Sequence, residues 1–315
     1  MKRRTGRRLS VALIGSALAL LAAAPAVAGP PATTASDASI TVGRLVLEPT
    51  ERGYRGSLPI TVTNEGDTTT YFTVRITEPV RGTIADLVPS NACTYGYTAD
   101  LRRIFDCGVP GPNLVPGEQR SFQMTFQVLT TPRSYPMVAE GGLVTVTPSG
   151  QPVADQSSFT TLFRSTSGSL RKPRPYVQDT RADAGLTTPG QVTLTRQADG
   201  SFLGRMPVTV RYGGDAGHDR LMIEAVTLPA GMRFQGTDPQ DMPSFPTWVE
   251  VPGGQFMPGE VRSFDILFDV PAGTPLGPIG TATVLLSTHW AYGAVADVDP
   301  ADNTVSFTVT TVEAS

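Results

Sequence analysis

His218 and His289 are the only imidazoles in the chain. No HExxH motif surrounds either, so a zinc hydrolase of that kind is not expected. A Ser–His–acid relay could be assembled only in three dimensions, because no GxSxG elbow is present. Ser169-Leu170-Arg171-Lys172 spells SxxK, the nucleophile motif of penicillin-binding proteins. It lies in a Ser/Gly/Pro-rich stretch instead of opening a helix, and has no SDN or KTG companion, so it reads as coincidence. Paired carboxylates for glycoside cleavage leave no signature of their own among 28 acidic residues. No catalytic residue is assigned; the expectation is a non-enzyme without a cofactor.

Binding chemistry has better candidates. Asp297, Asp299, Asp302 and Asn303 crowd one segment near the end of the chain. Their oxygens could hold Ca²⁺ or satisfy backbone N–H groups in an Asx-type turn. The segment lacks the glycine and distal glutamate of a dedicated calcium loop, which favours the turn and no metal. Tyr95, Tyr97, Trp248, Trp290 and Tyr292 could stack on sugars or anchor a protein partner. Tyr95, Tyr97 and Trp248 fall in two long loop-like segments, 82–113 and 235–256, where binding surfaces tend to lie.

The chain opens with Lys2, Arg3, Arg4, Arg7 and Arg8, an apolar run from Val11 to Ala24, and Ala26-Val27-Ala28 before Gly29. That order is a secretory signal peptide with cleavage after Ala28. The apolar run of 14 residues is too short to span a bilayer. Removing five basic residues and no acidic ones leaves 20 Lys+Arg against 28 Asp+Glu, a net charge of −8 instead of −3. A charge of that sign argues against nucleic acid or an anionic membrane as partner. Cys93 and Cys107 are the only cysteines, and in an exported chain they read as one disulfide. No lipid-attachment cysteine or sorting motif occurs. A secreted protein is expected, monomeric and held to the envelope non-covalently if at all.

The chain carries an internal duplication. PGEQRSFQMTFQV (116–128) answers to PGEVRSFDILFDV (258–270), with eight of 13 positions identical. GSLPITVTNEGD (56–67) answers to GRMPVTVRYGGD (204–215), and Phe159 to Phe307. Matches in one order at offsets of 142 and 148 residues mean two copies of one unit. In each, an apolar residue alternates with a polar one: Phe122, Met124, Phe126 and Val128, then Phe264, Ile266, Phe268 and Val270. Period two is strand chemistry, and Pro-Gly ahead of each strand suits a type II turn. By repeat alignment Trp248 stands beside the position of Cys107, and reads as a plug replacing the disulfide. Further strands are expected at Ile40–Leu47, Leu58–Thr63, Phe72–Thr77, Leu143–Thr147, Pro207–Arg211, Leu221–Thr227, Thr281–Ser287 and Thr304–Thr311. With 32 Gly, 28 Pro and no amphipathic helix of useful length, the fold expected is all-β. Two tandem immunoglobulin-like sandwiches follow the signal peptide at 1–28. Domain 1 spans 36–163, a linker 164–190, and domain 2 191–312. Arg171, Lys172 and Arg174 in the linker read as a solvated connector.

LPAGMRF (228–234), MPGEVRSFDILFDVPAG (257–273), GTATVLLST (280–288) and DVDPADNTVSFTVTTV (297–312) occur in that order. The series resembles the conserved-repeat immunoglobulin-like domain of unknown function in bacterial surface and secreted proteins. It is also similar to cell-adhesion-related bacterial sandwich domains. The resemblance implies an extracellular scaffold, adhesion or interaction module. The partner would be an unknown protein or a cell-envelope polysaccharide, and a secreted carbohydrate-binding protein using the loop aromatics is the alternative.

Overall fold

Alternation along the duplicated strand dictates burial. Phe122, Met124, Phe126 and Val128 turn inward, as do Phe264, Ile266, Phe268 and Val270. The computed structural model describes residues 37–290 and 293–314; the signal segment and Tyr292 lie outside them. Its first half runs β1 (Ala38–Val42), β2 (Leu45–Thr50), β3 (Gly53–Asn64), β4 (Phe72–Thr77), β5 (Ile84–Val88), β6 (Cys93–Tyr97), β7 (Arg103–Gly108), β8 (Gln119–Val128), β9 (Met137–Pro148) and β10 (Asp155–Phe163). Strands β1, β3, β8 and β5 pair antiparallel in one sheet. The other sheet has the order β2-β10-β9-β4-β7-β6, with β2 parallel to β10.

After β11 (Arg174–Pro175) the second half repeats this plan. It runs β12 (Ala184–Thr187), β13 (Gln191–Arg196), β14 (Phe202–Tyr212), β15 (Arg220–Thr227), β16 (Arg233–Asp238), β17 (Ser244–Phe245), β18 (Trp248–Glu250), β19 (Glu260–Val270), β20 (Gly277–Trp290), β21 (Gly293–Ala294) and β22 (Thr304–Val312). One sheet is β12-β14-β19-β16, the other β13-β22-β20-β15-β18-β17. The protein is all-β, with two immunoglobulin-like sandwiches. Each buries its own apolar cluster, one within Ala38–Phe163 and one within Ala182–Val309. No described helix is long and apolar enough to cross a membrane.

Pro59 and Pro207 stand mid-strand in β3 and β14, where a missing N–H should break a ladder. Both are tolerated for one reason. β1 pairs with Ile60–Asn64 and β2 with Gly53–Arg55, so Pro59 sits where one neighbour has left and the next has not arrived. Pro207 occupies the same gap between the pairings of β12 and β13. The first strand thereby crosses from one sheet to the other, and Ile40–Leu47 is two strands broken at Gly43.

Two expectations need correction. The loop-like segments 82–113 and 235–256 contain β5, β6 and β7, and part of β16 with β17 and β18. The 164–190 connector is not wholly a linker either: β11 pairs parallel with β9, and β12 pairs with β14 as the first strand of the second sandwich. Its Ser and Gly content concealed this, because two-to-four-residue strands carry too little alternation to register.

Candidate functional site

The predicted aromatic Trp290 is no exposed platform. It is 2% exposed and ends β20 beyond the second core, inserted against the first sandwich. Its indole N–H donates to Leu101 O at 2.7 Å. The Arg103 guanidinium lies 4.7 Å over its ring, and Tyr97 meets it edge-on at 6.2 Å. Gly82 faces the ring closely: a Cβ there would lie 3.1 Å from the indole, and its φ of 73° also favours glycine. Beneath this socket lies the fully buried Glu78 carboxylate. It accepts from the N–H groups of Gly82, Thr83 and Arg103 at 2.8, 2.9 and 2.7 Å. Burial raises the Glu78 pKa, and those N–H donors pull it back. Arg103 also forms an ion pair with Asp219 across the junction.

A second set of contacts converges on Asp215, in the turn after β14. Its carboxylate accepts from Thr130 Oγ1 at 2.7 Å, Tyr176 OH at 2.9 Å and Asp179 N–H at 2.9 Å. Asp179 returns the bond, accepting from Asp215 N–H at 3.0 Å. Burial and the neighbouring Asp215 charge push the Tyr176 phenol up, so it stays a donor. His218, in the same turn, is buried against Tyr212. Its Nε2 accepts from Phe256 N–H at 2.9 Å, which leaves the proton on Nδ1, 3.2 Å from Ala216 O. Desolvation drives its pKa down to about 4. Arg52 of the first sandwich reaches Gln255 O at 2.8 Å and Glu260 at 3.5 Å. The junction is therefore polar and closely bonded, with one buried indole near its centre.

Tyr95 and Tyr97 occupy the sheet-end hairpin β6–β7. Cys93 and Cys107 form the disulfide between these strands, at directly opposed positions. Tyr95 lies opposite Phe105, which lies opposite Ile76 of the first core. The row continues the core face of the sheet, yet Tyr95 is 67% exposed, so the opposing sheet leaves it uncovered. Tyr95 and Tyr97 meet edge-on at 6.4 Å, and Tyr97 links the row to Trp290 at 6.2 Å.

The remaining candidates do other work. Trp248 is half-buried on β18, which pairs with β15 as β7 pairs with β4. It stacks on Phe245 at 4.5 Å, and Phe245, missed in the sequence, is the exposed partner. Asp297 accepts from the N–H groups of Ala184 and Asp299, at 3.0 and 2.9 Å. Asp299 caps the 3₁₀ turn Pro300–Asn303, Asp302 pairs with Arg211, and Asn303 is buried. Each aspartate thus serves backbone or arginine through at least one oxygen, while Asp302 Oδ1 and Asn303 Oδ1 are buried without a partner; no metal-binding group of three His, Cys, Asp or Glu occurs among the described residues.

His289 stands 3.0 Å from both Glu224 Oε1 and Ser287 Oγ, and the Ser287 hydroxyl donates to the same Glu224 oxygen. Burial works against Glu224 ionisation, but bonds from Ser287 and His289 hold its pKa below the usual value. An ionised carboxylate only accepts, so His289 Nε2 must carry the proton it donates. A catalytic relay needs Nε2 free to accept from serine and Nδ1–H directed at the acid. Here one nitrogen faces both groups, and the hydroxyl is not activated.

The duplicated motif is explained as structure. Glu118 N–H bonds Val115 O and Glu260 N–H bonds Met257 O, with Gly117 and Gly259 at φ 76° and 80°, the type II turns expected. Each glutamate side chain reaches back to the turn's first N–H, at 3.0 and 2.7 Å. Arg120 and Arg262, two residues on, hold loop carbonyls. No family model matches the chain, and no curated protein does. Similar solved structures include a protein of unknown function from Porphyromonas gingivalis W83, 10% identical over 87% of this chain and 99% of that one, TM-score 0.21. The YadV chaperone is 10% identical over 86% and 99%, TM-score 0.23. A chain of the CsuC–CsuE chaperone–tip adhesion subunit pre-assembly complex of Acinetobacter baumannii Csu pili is 8% identical over 87% and 100%, TM-score 0.21. At such scores the likeness carries no argument about function.

Proposed function

We propose that the chain is a secreted, non-catalytic interaction module whose two sandwiches are held as one body to recognise a protein partner at or beyond the cell envelope. The observation that carries this is the junction. Trp290 in its Gly82–Leu101–Arg103 socket, with Asp215 tied to Thr130, Tyr176 and Asp179, supports fixed domains. A fixed body presents surface residues at low ordering cost, which favours binding. The His289 cluster supports the non-catalytic part, since its hydrogen bonds run the wrong way for a relay. The carbohydrate alternative keeps Trp248 with Phe245 but loses Trp290.

Crosslinking on intact cells, followed by mass spectrometry of the captured complex, tests this reading. We expect a recurrent protein partner and no clearing of envelope polymer in a zymogram at any pH. Clearing that disappears with Ser287→Ala, or absence of the chain from extracytoplasmic fractions, overturns it. Polysaccharide pull-down weakened by Trp248→Ala would transfer the conclusion to the carbohydrate alternative.

A further inference from the structure

Strands β5 and β6 end the continuous ladder of the first half and β16 and β17 that of the second, and these four differ in their protection. β16 carries Arg233 and Asp238 at its ends, a register break between Phe234 and Gly236, and Pro239 directly after it. β17 is two residues long, between Pro243 and Pro246. β5 has a register break between Ile84 and Asp86 and is followed by Pro89. Breaks, charges, prolines and brevity are the ordinary means of preventing edge-to-edge pairing. β6 has none of them. Asn91–Ala99 contains neither charge nor proline, and the pairing of β6 with β7 is unbroken over five residues.

The phase of that pairing fixes which backbone groups face outward. Thr98 N–H donates to Arg102 O, and Gly108 N–H to Ala92 O. Even-numbered residues of the strand therefore direct N–H and C=O toward β7, whereas Cys93 and Tyr95 turn theirs to the open side. β6 ends its sheet, and no described strand lies beyond it. Beside this edge stands the exposed Tyr95 ring, with Phe105 and Ile76 behind it. The disulfide ties the edge to the body of the sheet, so it is formed before anything binds.

We propose that β6 is a docking edge for an extended segment of a partner protein, added as one more strand. The segment bonds the outward N–H and C=O of Cys93 and Tyr95 and lays an apolar side chain against Tyr95, which Phe105 backs on β7. Backbone pairing supplies the affinity, and the aromatic row selects alternate apolar side chains. A second copy of the chain fits less well. Five residues give a line of strand only about 17 Å long, too small by itself to bury the roughly 800 Å² per partner of a stable interface between folded chains. A short flexible segment needs no more than the edge. This site rests on the interaction-module reading above.

The test uses the full chain with its disulfide intact, panned against a displayed library of random linear peptides. The strongest binder is synthesised and titrated against wild type, Tyr95→Pro and Tyr95→Ala. Proline at 95 removes an outward N–H while sparing the bonds to β7, which neighbouring residues make. We expect about tenfold weaker binding to Tyr95→Pro. A smaller loss is expected with Tyr95→Ala, and a loss like that of Tyr95→Pro when the peptide is N-methylated at alternate residues. Failure to enrich any peptide overturns the proposal, as does equal binding to wild type and Tyr95→Pro. Should Tyr95→Pro disturb the hairpin, the N-methylated peptides decide against wild type alone: insensitivity at every position overturns it. Cellular crosslinks that persist in Tyr95→Pro would remove this edge while leaving the interaction-module reading in place.

Discussion

Acid should weaken the fold through His218, by an amount that can be worked out. The ring is buried, stacked at 4.4 Å on Tyr212, and held neutral by Phe256 N–H on one nitrogen and Ala216 O near the other. Desolvation is the leading cause of its pKa falling to about 4, with Arg262 assisting and Ala216, Asp219 and Glu260 opposing. The unfolded chain takes up the proton near the ordinary value of 6.5, the folded chain only near 4. Between those values the unfolded state binds more protons, so stability falls as pH drops through the window and is level above about pH 7. A gap of about 2.5 pH units at ~1.4 kcal/mol each makes the full loss about 3.5 kcal/mol, most of it reached by about pH 4.5. Urea unfolding at pH 7.5 and 4.5 reads it, comparing wild type with His218→Gln. Other acid-sensitive groups, including Glu78 and Glu250 whose pKa values burial raises, are common to both proteins and cancel in the comparison. The variant loses stability at pH 7.5 but should shed between about 2 and 3 kcal/mol of the acid-induced loss. Equal losses in the two proteins between these pH values would refute the assignment to His218.

Trp290→Ala should destabilise by about 3–5 kcal/mol and loosen the junction, raising the radius of gyration in small-angle scattering. Trp290→Phe should keep most packing and forfeit the Leu101 bond, at a cost of about 1 kcal/mol. Replacing both Cys93 and Cys107 by alanine opens a loop with a sequence separation of 14. Denaturant melts should then show a loss of about 3 kcal/mol. The melting temperature should be the same in millimolar Ca²⁺ and in EDTA, because Asp297, Asp299 and Asp302 already serve backbone N–H groups and Arg211; a rise of several degrees with Ca²⁺ would contradict this.

Legibility in the sequence follows how local the physics is. Alternation in Phe122–Val128 and Phe264–Val270 needs only neighbouring residues, and the Pro-Gly turns need only their own φ values. Both were readable. The strands at 93–97 and 103–108 were not, because CTYGY ends its sheet and neither it nor RIFDCG beside it shows an alternating inward–outward pattern. Trp290 misled for a different reason. Its environment is made by Gly82, Leu101 and Arg103, each roughly 190 to 210 residues earlier in the chain, and nothing near position 290 announces them. His218 was one of two histidines with no motif, and only its burial gives it a role.

The duplication also separates what the fold requires from what this chain has added. Residues shared by both copies build the body: the Glu and Arg of each PGE segment close a turn and hold a loop, the mid-strand prolines let the first strand change sheets, and Thr61–Ser121 and Thr209–Ser263 bridge the same strands at 2.7 and 2.9 Å. A residue kept in both copies at an equivalent contact needs no function beyond folding. The departures fall elsewhere. In the first copy the sheet ends in a disulfide-held, uncharged five-residue strand, and in the second in two residues between prolines. The first therefore retains an edge able to pair, while the second has lost that capacity, and Trp290 of the second is inserted beside the first copy's hairpin through Tyr97 and Leu101. Specific recognition is then expected to reside in the first sandwich, with the second acting as its support. Tyr95→Pro in the first copy should weaken binding while Tyr97 and Leu101 stay on Trp290, so that the socket's contribution to unfolding is kept.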